Sequence, residues 1–418
     1  MRVMSSAPTT QENIAVAERI KQLERDYLLQ NYSRYPLVLH RGKGCHVYDT
    51  DGKRYLDLIA GIGVNALGYA HPRITKVIRE QAGLILHTSN LYYHEYQGPL
   101  AQRLAKISGL ERTFFANTGT EAMEGALKMV RAHGGKISPE KHEIVSLENS
   151  FHGRTLGSLS ITGQEKYRKD FEPLLTGVKF VPQNDVVALE QVVCDRTAGI
   201  VIEWIQGEGG INPMTHQYAQ KARELADRYN ALLVFDEIQC GVGRPGKYFA
   251  YQMTDPPILP DVMVAAKPLA CGIPLGVFVA NEKAAAAIGP GMHGSTFGGG
   301  PLACRVALEF LDILDELLPH IQEMGAYFRG KLEELHKRFA FIKEVRGHGL
   351  MIGVELAMPG KQMVLDAMEL GLLMNCTHDT VLRFLPPYTI TEKEIDRGVS
   401  ILKKVFQMAK KRGQEQPS

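Results

Sequence analysis

The spacing of apolar residues changes along the chain, and each change predicts a different kind of element. Near the start, "HVYDTDGKRYLDL" alternates apolar and polar positions about an Asp-Gly turn, which predicts a hairpin over residues 46–58. From about Pro72 to Cys304, helical stretches alternate with the short apolar runs "EIVSLE", "AGIVIEWI", "ALLVFDEI", "VMVAAKPL" and "LGVFVA". Runs without a polar face are strands covered on both sides, so this pattern predicts an α/β fold with a mainly parallel sheet flanked by helices. After Pro301, "LACRVALEFLDILDEL" predicts a long amphipathic helix, "FIKEVRGHGLMIGVELA" and "VLRFLPPYTI" predict strands, and a last helix begins near Thr391. The expected organisation is a large domain over 71–304 and a small α+β domain over 305–418, joined by the segment and hairpin of residues 1–70. The polar start, to about Pro8, and the tail "KKRGQEQPS" are expected to fray.

A chain of 418 residues suits two domains sharing an interface. Its 48 Lys plus Arg against 46 Asp plus Glu leave a net charge of +2, and no basic stripe is interleaved with aromatics, so nothing here favours nucleic acid or an acidic membrane. No apolar run is long enough to cross a bilayer, and the start lacks the apolar core of a signal peptide. The six cysteines (Cys45, Cys194, Cys240, Cys271, Cys304, Cys376) form no CxxC pair and are expected to be free thiols in a reducing cytoplasm, with no metal site. Small-molecule chemistry is the class that survives these exclusions.

In α/β sheets, ligands sit at the carboxyl ends of strands, so residues just past the apolar runs are the candidates. "MVAAKPLACGIPLG" sets one amine, Lys267, among apolar residues. Such a lysine either lifts its ammonium to water or, desolvated and neutral, attacks a carbonyl. "FFANTGTEAMEG" places Gly119 and Thr120 at a helix N-terminus, where free N–H groups and a hydroxyl suit a phosphate; an ordinary threonine cap is the alternative. "ALLVFDEIQCGVGRPG" ends a buried strand with Asp236 and Glu237, followed by Ile238 and Gln239, and a carboxylate there requires a cation or donor. The GxGxxG at 241–246 contains Pro245 and is followed by loop residues instead of a helix, so it is read as accidental. "ENSFHGRTLG" offers Phe151 to stack on a ring and Arg154 to hold a carboxylate; taken singly, Phe151 reads as core and His152 as a satisfied loop histidine. Glu203 and Glu208 in "IEWIQGEGG" read as solvated or ion-paired acids, and Ser295 and Thr296 sit in the glycine-rich loop "GMHGSTFGGGP".

A phosphate site, a stacking ring, an acid for a pyridine nitrogen and a carbonyl-reactive amine together describe pyridoxal 5′-phosphate. The blocks "GIGVNALGYAHP", "NTGTEA", "FHGRT", "QGEGG", "DEIQCGVGR", "AAKPL" and "GSTFGG", in this order from about Tyr35 to Ile390, resemble the class III aminotransferases of fold type I, most closely the acetylornithine aminotransferases. The resemblance implies that Lys267 is the Schiff-base lysine and that Asp236 pairs with the ring nitrogen. Gly119 and Thr120 would then hold the phosphate, Phe151 would stack, and Gln239 would approach the phenolic oxygen, with Glu237 and Ile238 in the same cofactor-binding block. It also implies a homodimer with a composite site, in which Thr296 reaches in from the second subunit.

For substrates, the resemblance gives Arg154 and Ser295 the distant carboxylate end and Arg383 the α-carboxylate of 2-oxoglutarate, with Glu208 pairing Arg383 and swinging away; a fixed Glu208–Arg383 ion pair is the alternative. Ornithine aminotransferases carry a tyrosine where this chain has Gly61, which favours an acylated diamino acid, N2-acetylornithine, as donor. Ornithine, succinylornithine, succinyldiaminopimelate and a carrier-bound lysine derivative stay open. An aminomutase or decarboxylase of this fold would share the cofactor residues, and a non-catalytic module would have lost Lys267 or Asp236. Two departures from the common pattern are Lys-Pro-Leu-Ala-Cys-Gly after residue 266, which adds bulk beside the amine, and "DEIQ" for "DEVQ".

Overall fold

A computed structural model describes residues 10–415. The apolar runs form a seven-stranded sheet in the order Arg112–Ala116, Gly276–Ala280, Val262–Ala265, Leu232–Asp236, Thr197–Glu203, Glu143–Leu147, Val178–Val181. Gly276–Ala280 alone runs against its neighbours, and the pairs among the last five strands are all parallel. Every residue of Leu232–Asp236 is buried, which explains why that run lacks polar alternation. Each buried Leu, Val or Phe side chain there contributes roughly 1.5–3 kcal/mol. That apolar packing holds the carboxylate at the strand's end out of bulk water.

The hairpin forms as expected from His46–Asp49 and Arg54–Asp57. Asp49 organises its turn by accepting from Asp51 N (3.0 Å) and Lys53 N (2.8 Å), while Gly52 takes φ +81°. It belongs to a four-stranded sheet that also includes Leu39–Lys43 and, in parallel, Leu372–Leu373. The opening of the chain is thus hydrogen-bonded to its C-terminal part. A second four-stranded sheet, wholly antiparallel, has the order Ile342–His348, Met351–Leu356, Val381–Phe384, Asn375–Thr377. The amphipathic stretch after Pro301 is one helix, Pro301–His336, whose buried face carries Phe310, Leu314, Ile321 and Phe328.

The two ends hold one element that was not expected and one expectation that needs correction. The chain also opens with a helix, Thr10–Tyr27, that the apolar pattern does not disclose, because its mean hydropathy is low and its described residues are largely exposed. The expected fraying up to about Pro8 lies outside the described residues. The tail is also predicted to fray, yet the last helix, Glu392–Glu415, takes in most of it. Arg412 Nη2 donates to the buried Asp366 at 2.5 Å, which anchors the final turns to the helix Lys361–Glu369. Residues 416–418 lie outside the described residues.

Candidate active site

The parallel register sets Asp236 opposite Glu203 on one side and Val264 on the other, so both carboxylates emerge at the same sheet edge. Lys267 follows two residues after the strand Val262–Ala265 ends. Beyond this edge lies a cavity of ≈ 400 Å³ lined by Lys267, Asp236, Glu203, Glu208, Gln239, Ile238, Gly119, Thr120, Phe151, His152 and Arg154, with Val64, Asn117, Thr118 and the turn 272–275 completing it. Ala265, Ala266, Leu269 and Ala270 around the lysine are buried. Burial lowers the Lys267 pKa, and Arg383 lowers it further, against the opposing charges of Glu208, Asp236 and Glu203. Lys267 also takes φ +29°, a left-handed backbone that a side-chain-bearing residue adopts at a cost of about 1–3 kcal/mol. A strained, partly desolvated lysine facing a cavity departs from the snorkelling alternative.

Asp236 is 3% exposed and held from two directions. Its Oδ1 accepts from Ile238 N at 3.0 Å, and its Oδ2 lies 2.7 Å from His152 Nδ1. Burial acts to lower the His152 pKa, but the hydrogen bond and charge of Asp236, aided by Glu203, raise it overall. Glu203 is pinned to the main chain, accepting from Phe151 N (2.9 Å) and Gly207 N (3.1 Å), and its pKa is raised by burial and by Asp236. From sequence, His152 reads as an ordinary loop histidine and Glu203 as a solvated or paired acid. Their spacing in the chain carries no signal; the strand order, with 197–203 between 143–147 and 232–236, supplies it.

The helix Gly119–Ile137 begins with a capping box. Thr118 Oγ1 accepts from Glu121 N at 3.2 Å, and Glu121 Oε2 accepts from Asn117 N (2.6 Å) and Thr118 N (3.1 Å). The cap is therefore Thr118 and not Thr120, and the N–H groups of Gly119 and Thr120, ahead of any intrahelical acceptor, line the cavity. A Cβ on Gly119 would stand 2.8 Å from Ile238 Cδ1, so glycine is required for the helix end to approach that side chain. Thr120 Oγ1 bonds Ser158 Oγ (2.6 Å) and Thr155 Oγ1 (2.9 Å), which docks the loop carrying Phe151 and Arg154. Phe151 is half-buried at the cavity wall, edge-on to Tyr167 at 5.8 Å, so it is not simply core. The exposed Arg154 guanidinium lies 4.1 Å over the Tyr167 ring.

Arg383, 1% exposed, donates to Glu208 Oε1 (2.5 Å), to Gln239 Oε1 (3.0 Å) and, through Nε, to Asn375 Oδ1 (3.2 Å). Burial would raise the Glu208 pKa; the charge and hydrogen bond of Arg383 outweigh it and hold that pKa below its ordinary value.

Four of the expected residues are not on the lining of this cavity: Arg383 reaches it only through Glu208 and Gln239, and the other three stand apart. Glu237 points away: its carboxylate accepts from Ala250 N (2.9 Å) and Tyr251 N (3.1 Å), and burial pushes its pKa up to about 7. Strand alternation explains this, since neighbours of Asp236 face the opposite way. Ser295 sits just outside the rim, accepting from Asn117 Nδ2 at 3.2 Å. Thr296 is exposed and lines a separate small pocket with His87, His94 and Phe297.

The profile of the class III aminotransferases (Aminotransferase class-III) matches residues 27–406. The chain is 48% identical to the acetylornithine aminotransferase of Methanocaldococcus jannaschii over 93% of this chain and 98% of that one. Among solved structures it superposes on the ornithine aminotransferase of Toxoplasma gondii, which has PLP at partial occupancy in its active site, with a TM-score of 0.90 and 32% identity over 98% of this chain and 99% of that one. The acetylornithine aminotransferase of Elizabethkingia anophelis gives a TM-score of 0.83 and 30% identity, covering 94% and 99% of the two chains. With its α/β fold, the facing lysine and aspartate, and these likenesses along nearly its whole length, the chain belongs to the class III aminotransferases.

Proposed function

We propose that the protein transfers the side-chain amine of N2-acetyl-L-ornithine to 2-oxoglutarate, giving N-acetyl-L-glutamate 5-semialdehyde and L-glutamate, a step of arginine biosynthesis. The observation that carries this reading is the convergence of Lys267, the buried Asp236 and the N–H groups of Gly119 and Thr120 on one cavity. Those groups suit pyridoxal 5′-phosphate: a carbonyl-reactive amine, a buried carboxylate needing a cationic donor, and an anion-seeking helix end. When bound, this cofactor supplies a protonated ring that takes up the electron pair released as a substrate C–H is deprotonated.

In this reading Asp236 would receive the ring N–H, its carboxylate held in place by His152 and by the Ile238 amide. Phe151 would stack on the ring, Ile238 would lie beside it, Gln239 would serve the phenolic oxygen, and Gly119 with Thr120 would hold the phosphate. Lys267 would hold the cofactor through its aldehyde carbon, and its free amine would carry the proton removed from the substrate carbon. Its lowered pKa leaves more of the amine neutral and able to accept that proton. Arg154 and Ser295 take the donor's distant carboxylate. Arg383 receives the α-carboxylate of 2-oxoglutarate and is covered by Glu208 when the donor, lacking a carboxylate beside its reacting carbon, is bound. Gly61 supports the acylated donor, because it carries no side chain that could grip a free α-amine.

The working unit is proposed to be a cytoplasmic homodimer, with Thr296 entering the partner's site. The exposed Leu91, Tyr92, Tyr93 and Phe297 around that loop support such a contact. The deciding experiment follows the visible absorption of the cofactor-loaded protein. The band should vanish on adding N2-acetylornithine and return with 2-oxoglutarate; persistence of the band with the donor would exclude acetylornithine.

A further inference from the structure

At the mouth of the cavity, just before Val64, the backbone does something the chemistry above does not use. Ala60 (φ +47°), Gly61 (φ +62°), Ile62 (φ +61°) and Gly63 (φ +81°) form a full left-handed helical turn, closed by Gly63 N to Ile59 O and Asn65 N to Ala60 O, each 2.9 Å. Glycine tolerates this conformation, but alanine does not adopt it readily and a β-branched residue such as Ile62 is a genuine outlier in it. Such a turn persists only where its surroundings over-determine it.

Asp57 supplies that constraint. It is 1% exposed, and its Oδ1 accepts from both Ile59 N (2.8 Å) and Ala60 N (3.0 Å), the two amides that lead into the turn. Its Oδ2 accepts from Tyr69 OH at 2.6 Å, which ties the carboxylate to the chain leaving the turn. Asp57 itself is fixed by its strand, donating N–H to Cys45 O at 2.8 Å, and Leu58 on the other side is bonded to Leu373 and Leu385. One carboxylate thus grips the entry and, through Tyr69, the exit of a strained turn whose next residue, Val64, is a wall of the cavity.

We propose that Asp57 is a positioning residue for substrate selection: by clamping the left-handed turn 60–63 it fixes Val64, and with it the room offered to the acylated donor. The inference rests on the aminotransferase reading of this cavity. Asp57 does not touch the substrate, and its effect falls on discrimination between donors. Displacement of a pocket wall by about one methylene changes discrimination roughly tenfold or more.

The test measures kcat/KM for N2-acetylornithine and for ornithine with the cofactor-loaded wild type, Asp57→Ala and Asp57→Asn. A ratio within one preparation is unaffected by how much of the protein is folded. Asp57→Ala is expected to narrow the ratio roughly tenfold, whereas Asp57→Asn, whose amide oxygen still accepts both N–H groups, keeps it. Hydrogen exchange of the amides over residues 57–66 should rise in the first variant and not in the second. If Asp57→Ala does not accumulate, Tyr69→Phe, which removes the hydroxyl that ties the Asp57 carboxylate to the chain leaving the turn, takes its place and is expected to narrow the ratio in the same sense. An unchanged ratio in the variant that folds overturns the proposal. A wild type that turns over neither donor overturns the functional reading itself, and the clamp's role in selection falls with it.

Discussion

In the proposed reaction the Glu208–Arg383 pair separates the two half-reactions, and Glu208→Gln is the perturbation that exposes the difference. Arg383 is 1% exposed, and Glu208 supplies the only carboxylate among its hydrogen-bond partners in the described residues; Gln239 and Asn375 offer neutral oxygens. The amide oxygen of the substituted side chain can keep a hydrogen bond but not the charge. A donor with no carboxylate beside its reacting carbon then lays methylenes against an unneutralised guanidinium. Removing one partner of a buried ion pair costs about 3–5 kcal/mol. The retained neutral contacts and the 23% exposure of Glu208 bring this to about 2–2.7 kcal/mol, within the range of a hydrogen bond to a charged group, or roughly 30–100-fold in rate. 2-Oxoglutarate brings its own carboxylate, and in the variant it no longer has to displace Glu208. The assay is single-turnover spectroscopy of each half-reaction. The acetylornithine half should lose roughly 30–100-fold in kcat/KM, while the 2-oxoglutarate half holds or improves. Equal losses in both halves would show a fixed strut and refute the exchange.

Lys267→Met should lower kcat by about 10³-fold or more while the protein still folds. Because the folded pKa of Lys267 is depressed, the unfolded chain binds more protons below 10.5, so the cofactor-free wild type should gain stability as pH rises toward that value, and the variant should lose this slope in denaturant titrations. Glu237 has the opposite linkage: its folded pKa of about 7 lies above the ordinary 4.5, so its contribution is full below 4.5 and is lost as pH rises through 7. Thermal melts across that window should flatten in Glu237→Gln, with donor turnover near wild type, since the side chain faces away from the cavity. Gly119→Ala, whose Cβ would crowd Ile238, should weaken pyridoxal phosphate binding roughly 10-fold, read by equilibrium titration of the visible band.

What is readable in the sequence and what is not divide along one physical line. Strand-end residues are legible because an apolar run announces its own end: Asp236, Lys267 and Glu203 each follow one, and Gly119 with Thr120 follows another at a helix start. The period of two within a strand is legible too, yet grouping Glu237 with the cofactor block overlooks it, since that carboxylate turns away from the cavity while its neighbour faces it. The His152–Asp236 bond is hidden because it joins residues 84 positions apart, and only the sheet order makes them neighbours. The left-handed turn 60–63 is hidden for a different reason. Ile62 has a side chain that argues against its own backbone conformation, so local propensity points the wrong way, and the compensation comes from Asp57 and Tyr69 through tertiary contacts. Sequence reasoning fails there in the manner expected of a site under functional constraint, because strain that nothing local explains is held only where the rest of the fold sustains it. Lys267, at φ +29°, is a second instance; it lines the cavity itself, and the turn 60–63 runs directly into Val64, which lines the same cavity.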